Sequence, residues 1–288
     1  MTTAIQTDDP SAWEHVRYED PSEGVARIVL AREDARNAQG KRMTYELNAA
    51  FDRASADDSV RCIVLAADGP HFSSGHDLRD KDPVEAFRTI GGWGGFSLPG
   101  AEGHMALEEE IYLGMCWRWR NLPKPTIAEV QGKVIAGGLM LMWVCDLVIA
   151  SEEAQFSDPV VAFGVNGVEY FAHPWELGVR KAKEMLFTGE AISAEEGKSL
   201  GMINHVVARD ELPGFTLELA SKIAARPSMG LKLAKQSVNQ SQDAQGFWPA
   251  LQAAMSLQQL GHSHNQQVHG MLVDPAGVKI IRDQAKRG

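Results

Sequence analysis

Residues 125–159, PTIAEVQGKVIAGGLMLMWVCDLVIASEEAQFSDP, constrain the fold of this 288-residue chain more than any other stretch. Two apolar, strand-like runs, TIAEV and DLVIA, flank a turn of small residues that opens directly into the apolar segment GGLMLMWV. A turn of Ala136, Gly137 and Gly138 leaves the first N–H groups of the following helix without partners inside that helix, with the positive end of the helix dipole behind them. Such amides suit a carbonyl oxygen that is gaining negative charge. A second donor has an obvious source in HFSSGHDL, residues 71–78, which follows the strand-like VRCIVLAA and the turn Asp68-Gly69-Pro70. The N–H groups of His76 and Gly137 are expected to converge.

These segments, in this order, resemble the enoyl-CoA hydratase/isomerase (crotonase) superfamily, and the resemblance runs over about residues 26–207. ARNAQ, residues 35–39, resembles the family's CoA-binding turn, and LFTGEAISAEEGKSLGMINHVV, residues 186–207, resembles the stretch that follows its active site. The resemblance implies an α/β crotonase-like (ClpP/crotonase) fold of repeated β-β-α units with a helical C-terminal region. It divides the chain into a core, residues 1–207, and a helical region, residues 208–288, that covers the site and builds a homotrimer or a dimer of trimers. It also implies an acyl-CoA substrate whose thioester carbonyl is polarised by the amides of His76 and Gly137. CoA would be met by Arg36, Ala38 and Ser74 beside those two residues, with Arg79 as a further arginine open to the phosphates. Coenzyme A enters as part of the substrate, and neither a permanently bound cofactor nor a metal is implied.

Hydratases of this family add water with two glutamates, and on the family pattern those positions hold Met140 and Val160. Neither side chain can move a proton, so ordinary crotonyl-CoA hydration is expected to be slow. The acidic candidates nearby are Asp158, in FSDP, and Glu169, in NGVEYF, which lies in the loop where other members carry an acidic catalytic residue. A Glu169 carboxyl facing a pocket among Val168, Tyr170 and Phe171 would lose water and suit proton transfer near neutral pH; otherwise it pairs with Arg180 or meets solvent. Asp158 precedes Pro159, a place where aspartate also caps turns. His173 either orients Glu169 or belongs to the bend before Pro174. The His76 imidazole either narrows the pocket or faces water. The expected function is acyl-CoA thioester processing by an enzyme nominally of hydratase or isomerase type. Acyl-CoA hydrolysis, carbon–carbon bond hydrolysis and acyl-CoA binding without catalysis are the alternatives.

A hydrophobic content of 44% is enough for one large domain with a substantial core. The net charge of −10 argues against nucleic acid or an anionic membrane as partner. MTTAIQTDDPSAWEH lacks the basic flank and apolar segment of a secretory signal, and the longest apolar run, residues 134–145, falls short of a bilayer span, so a cytoplasmic location is expected. Cys62, Cys116 and Cys145 read as reduced core residues. His262, His264 and His269 lie in a polar segment that reads as a solvated helix end with no metal. GGWGGF, residues 91–96, lacks the order of a phosphate-binding loop and reads as a lid or loop, with Trp93 and Phe96 available to an acyl pocket.

Periodicity predicts strands at VARIVL and at residues 61–66, with a helix through Met43, Leu47 and Phe51 between them. A helix is predicted over 107–119, and Ser193-x-x-Glu196 predicts a capping box on a helix that stops at Gly201. Two long helical segments, 212–225 and 227–260, and a short helix over 275–286 complete the expectation.

Overall fold

The computed structural model describes residues 5, 7 and 9–285, with the backbone alone at 284 and 285. Part of the N-terminal stretch read for a secretory signal, and Lys286, the expected end of the last helix, lie outside the described residues. The chain begins with an antiparallel hairpin, β1 (Val16–Ser22) and β2 (Val25–Leu30), followed by α1 (Lys41–Ala56) and β3 (Cys62–Ala67). A helical passage then comprises α2 (Ala101–Glu108), a turn of π-helix (Glu109–Gly114) and α3 (Met115–Arg120). β4 (Thr126–Val130), β5 (Lys133–Ile135), α4 (Gly137–Trp143), β6 (Leu147–Ser151) and β7 (Gln155–Ser157) make up the stretch singled out in the sequence. α5 (His173–Thr188), β8 (Ile192–Ser193), α6 (Ala194–Leu200) and β9 (His205–Val207) follow. The chain ends in α7 (Leu212–Ala224), α8 (Ser228–Ala244), α9 (Phe247–His269) and α10 (Gly277–Ala285).

Six strands form the main sheet in the order β1-β2-β3-β4-β6-β9, parallel except for the β1–β2 hairpin. Alternation along these strands explains why the sheet is sandwiched. Ala26, Ile28 and Leu30 of β2, with Ile63 and Leu65 of β3, pack on Met43, Leu47 and Phe51 of α1. Their neighbours Val25, Val29, Cys62, Val64 and Ala66 face the other way, onto Leu212, Ala220 and Ala224 of α7. Strands buried on both faces read as nearly continuous apolar runs, as VARIVL and CIVLAA do.

A second, smaller sheet has the order β5-β7-β8. Single parallel bridges extend it sideways, Ser73 pairing with Val134 and Gln39 with His76. The CoA-type turn, the 71–78 segment and the start of α4 therefore lie side by side, although more than 90 residues separate the first from the last in sequence.

Several boundaries differ from the sequence expectation. The helix expected at 107–119 begins six residues earlier, at Ala101, and contains the π turn. The segment 227–260 is two helices, because Gly246 adopts φ 97°, and the second runs on to His269. The Ser193 hydroxyl accepts from the Glu196 N–H at 3.2 Å as a cap should, but the Glu196 carboxylate reaches Lys181 rather than returning to Ser193. β1 was not anticipated: VRYEDPS is half exposed and polar, and it pairs only along one edge. Among the described residues no helix is long and apolar enough to cross a membrane.

Trp119, 1% exposed, locks α3 to α1 by packing its ring 5.5 Å from Phe51 and donating from Nε1 to Asn48 Oδ1. Trp119→Ala is expected to lower stability by about 3–5 kcal/mol, read as a fall in the urea midpoint; a loss under about 1 kcal/mol would show that this contact is not a core anchor.

Candidate functional site

The site is built on a close crossing of two backbones. Gly75 has φ 92°, a region costly to residues with a side chain, and a Cβ placed there would lie 2.8 Å from the Ile135 carbonyl oxygen and 3.3 Å from the Gly137 nitrogen. Gln39 takes its bridge from the groups on either side of His76, donating to Gly75 O at 2.8 Å and accepting from Asp77 N–H at 2.9 Å. In a parallel bridge this turns the His76 N–H away from Gln39, toward the β5 and α4 side. Gly137 is the first residue of α4, where helix geometry leaves its N–H without an acceptor. Ala136 holds that turn at φ 48°, ψ −114°, a conformation rare for a non-glycine residue, and is tied by its N–H to Ser157 O at 2.9 Å. Among the described residues neither the His76 nor the Gly137 N–H donates to a protein acceptor. The two amides singled out in the sequence are thus adjacent and on one side of the crossing.

The His76 imidazole does not turn to bulk water. It lies over Gly137, where a Cβ would come within 2.6 Å of the ring, and its Nε2 is 2.9 Å from Glu169 Oε2. Glu169 is 5% exposed and pairs with His76, not with Arg180. Burial opposes the charged imidazole, but the Glu169 carboxylate and its hydrogen bond outweigh burial and raise the His76 pKa above the ordinary histidine value. Met140 is fully buried and Val160 half-buried, so the two family-glutamate positions contribute only apolar surface.

A row of side chains that sequence reading missed completes the wall. His104, Glu108, Tyr112 and Cys116 recur every fourth residue along α2, the π turn and α3. Fourth residues on a plain α-helix drift steadily around the axis; the wider π turn offsets that drift and keeps the row on one face. The Tyr112 ring packs 3.9 Å from that of His76. One turn earlier, Glu108 Oε1 lies 3.0 Å from His262 Nε2, and the Gln259 side-chain amide donates to Glu108 Oε2. His262 Nδ1 donates to Leu272 O at 2.8 Å. His264 and His269 are exposed, as a solvated helix end requires, but His262 is buried, which corrects the reading of all three together. The spacing of four was the available signal. It was missed because the partner glutamate lies more than 150 residues from His262.

Asp158 belongs to a different set of contacts. Fully buried, it accepts from His173 Nε2 at 2.8 Å, from Val168 N–H at 3.0 Å and from Val160 N–H at 3.2 Å. His173 therefore orients Asp158, not Glu169, and the pair fastens the loop that delivers Glu169. The CoA candidates stand together at the rim: Arg36 is exposed at φ 54°, Ala38 half-buried, and Ser74 donates its N–H to Arg36 O at 3.0 Å. Arg79 is exposed. Trp93 is largely exposed on the glycine-rich loop, while Phe96 packs partly onto the core. Cys62 and Cys116 are buried, Cys145 is half-buried, and all three are free thiols. Among the described residues no His, Cys, Asp and Glu group is arranged to hold a metal ion.

A family model described as "Enoyl-CoA hydratase/isomerase" matches residues 20–89 and 100–273. A Mycobacterium tuberculosis protein described as an enoyl-CoA hydratase is 45% identical over 269 residues, covering 91% of this chain and 85% of that protein. A 4-chlorobenzoyl coenzyme A dehalogenase of Arthrobacter is 29% identical over 209 residues, 72% of this chain and 71% of that protein. The crystal structure of a Mycobacterium smegmatis protein described as an enoyl-CoA hydratase superposes with a TM-score of 0.83 at 46% identity, covering 90% of this chain and 99% of that one. The α/β crotonase-like architecture with a helical C-terminal region, expected from the sequence, is the architecture found.

The Glu108–His262 pair makes stability depend on pH in a defined direction. Burial disfavours the His262 cation, but the hydrogen bond and charge of Glu108 prevail and raise its pKa from 6.5 to about 9. A histidine whose folded pKa is raised contributes fully below its unfolded value and loses that contribution as pH climbs through the folded one. The urea midpoint is expected to fall between pH 6.5 and about 9, and to fall less steeply in His262→Gln. Parallel profiles for the two proteins would contradict this assignment.

Proposed function

Because the chain belongs to the enoyl-CoA hydratase/isomerase family, we propose that it binds an acyl-CoA thioester with the carbonyl oxygen between the N–H groups of His76 and Gly137. It then moves a proton next to that carbonyl with the His76–Glu169 pair. The observation that carries this reading is the 2.9 Å contact between His76 Nε2 and Glu169 Oε2, beside an amide pair that has no protein acceptor. Donors aimed at a developing oxyanion are worth about 2.7–4 kcal/mol each in comparable sites, so the two amides lower the cost of an enolate substantially. An enolate also needs a base. Glu169 takes that role, and the His76 imidazole holds its carboxylate in line and offers the proton that returns.

The chemistry this favours is isomerase-like or lyase-like proton transfer, not standard hydration of crotonyl-CoA. Met140 and Val160 can neither activate water nor protonate a carbon. Asp158 serves as a positioning residue, since its two oxygens already accept from His173, Val168 and Val160. Arg36, Ala38 and Ser74 form the rim at which the CoA portion enters. The assembly proposed is a homotrimer or a dimer of trimers, for which Met229, Leu233 and Val238 of α8 and Leu257 and Leu260 of α9 supply exposed apolar surface. Acyl-CoA hydrolysis or carbon–carbon bond cleavage would use the same amides and the same pair, and product analysis separates them.

Hydrogen–deuterium exchange at the α-carbon of hexanoyl-CoA, followed by NMR, tests the proposal. The protein is expected to catalyse exchange, and Glu169→Gln to slow it by a factor of about 100 to 10,000 while thioester binding persists. Exchange unchanged in Glu169→Gln, or crotonyl-CoA hydration at the rate of an ordinary hydratase, would overturn it.

A further inference from the structure

Beyond the His76–Glu169 pair, the structure holds a second buried acid–base cluster for which the proton transfer has no use. Its position ties it to His76. Tyr112 packs on His76, and Glu108 lies one helical turn away on the same face. The Glu169 charge acts on both Glu108 and His262, and the Glu108 charge acts on His76. The side chains of Glu108 and His262 keep 12% and 10% exposure, so the cluster borders accessible space and is not sealed in the core.

The second observation is an unpartnered acceptor. Gln259, 7% exposed, spends its amide N–H on Glu108 and leaves its buried Oε1 without a donor. A buried carbonyl oxygen in that state is destabilising unless something donates to it. Both His262 nitrogens are already engaged, Nε2 with Glu108 Oε1 and Nδ1 with Leu272 O, so the cluster offers acceptors: Gln259 Oε1 and the Glu108 oxygens beside it.

Electrostatics select what fits. Glu108 and Glu169 together repel a carboxylate or a phosphate. The cationic His262 disfavours an ammonium group. An alkyl chain would leave Gln259 Oε1 buried against hydrocarbon without a donor. A neutral donor satisfies that oxygen, and a hydroxyl is the simplest such group.

We propose that Glu108, His262 and Gln259 form a subsite for a hydroxyl group on the acyl chain, so that the preferred thioesters are hydroxylated acyl-CoAs. This rests on the acyl-CoA reading of the site above, because it requires the thioester to be held at His76 and Gly137. A site built to hydrogen-bond a substrate hydroxyl discriminates strongly against the analogue that lacks it, since its polar atoms are then left unpaired.

The test is calorimetric binding of two probes of equal length, hexanoyl-CoA and its terminally hydroxylated counterpart, to the full chain. The hydroxylated probe is expected to bind at least about ten-fold more tightly. Gln259→Leu should bring the ratio of the two affinities to within about two-fold. His262→Gln, which keeps a hydrogen-bonding side chain, should retain part of the preference. Circular dichroism melting of each variant identifies any that does not fold, and the wild-type ratio stands without them. Equal affinities, or a preference for hexanoyl-CoA, would overturn the hydroxyl subsite and leave the acyl-CoA reading standing. A ratio unaltered in folded Gln259→Leu and His262→Gln would remove these residues from recognition. Binding of neither probe would instead overturn the acyl-CoA reading itself.

Discussion

The molecule depends on the approach of the Gly75 backbone to that of residues 135–137. At that crossing a Cβ would meet the Ile135 carbonyl at 2.8 Å, so only glycine at 75 lets two segments from different βα units lie in contact. Everything functional is placed relative to it. The bridge to Gln39 fixes the direction of the His76 N–H, the hydrogen bond from Ala136 to Ser157 fixes the start of α4, and the CoA-type turn is carried along because it pairs with the same short segment. The main sheet, buried on both faces, supplies the rigidity that lets Ala136 persist at positive φ.

Against that rigid frame the interior holds several buried acids and bases. Charges taken out of water cost several kcal/mol each unless paired with good geometry, and the structure meets this cost by pairing. Asp158 with His173, Glu169 with His76, and Glu108 with His262 are three carboxylate–imidazole contacts of 2.8, 2.9 and 3.0 Å. They differ in surroundings. The first is fully buried, and backbone amides also donate to its carboxylate, so it holds a loop in shape. The other two retain some exposure. The same pair of residue types thus serves support in one place and, in the proposed function, proton transfer in another, and environment decides which.

Much of this was legible in the sequence for definable reasons. The strands VARIVL and TIAEV, the glycine turn before α4, the Ser193 cap and the stop at Gly201 are all local signals, written within a few residues of where they act. His76, Gly137 and Glu169 were singled out because their segments carry recognisable patterns, and the structure brings them together. What stayed hidden was pairing across distance. Nothing near His262 announces Glu108, nothing near His76 announces Tyr112, and His173 is far closer in sequence to Glu169 than to Asp158, although it bonds to Asp158. The break at Gly246 was missed because the apolar spacing continues on both sides of it. β1 escaped because an edge strand with one wet side carries little hydrophobic pattern.

The π turn at Glu109–Gly114 has an evolutionary reading. A wide turn is what remains when one residue is inserted into a helix whose two ends are already held in place. Deleting a single residue there would restore a regular helix, and with α2 free to turn it would swing α2 by about 100°, since each residue of an α-helix advances the screw by that angle. His104 and Glu108 would leave the wall while Tyr112 and Cys116 stayed. Chain length at this point thus governs which side chains line the wall: a variant of this chain one residue shorter here would keep the amide pair yet present a different lining to whatever enters.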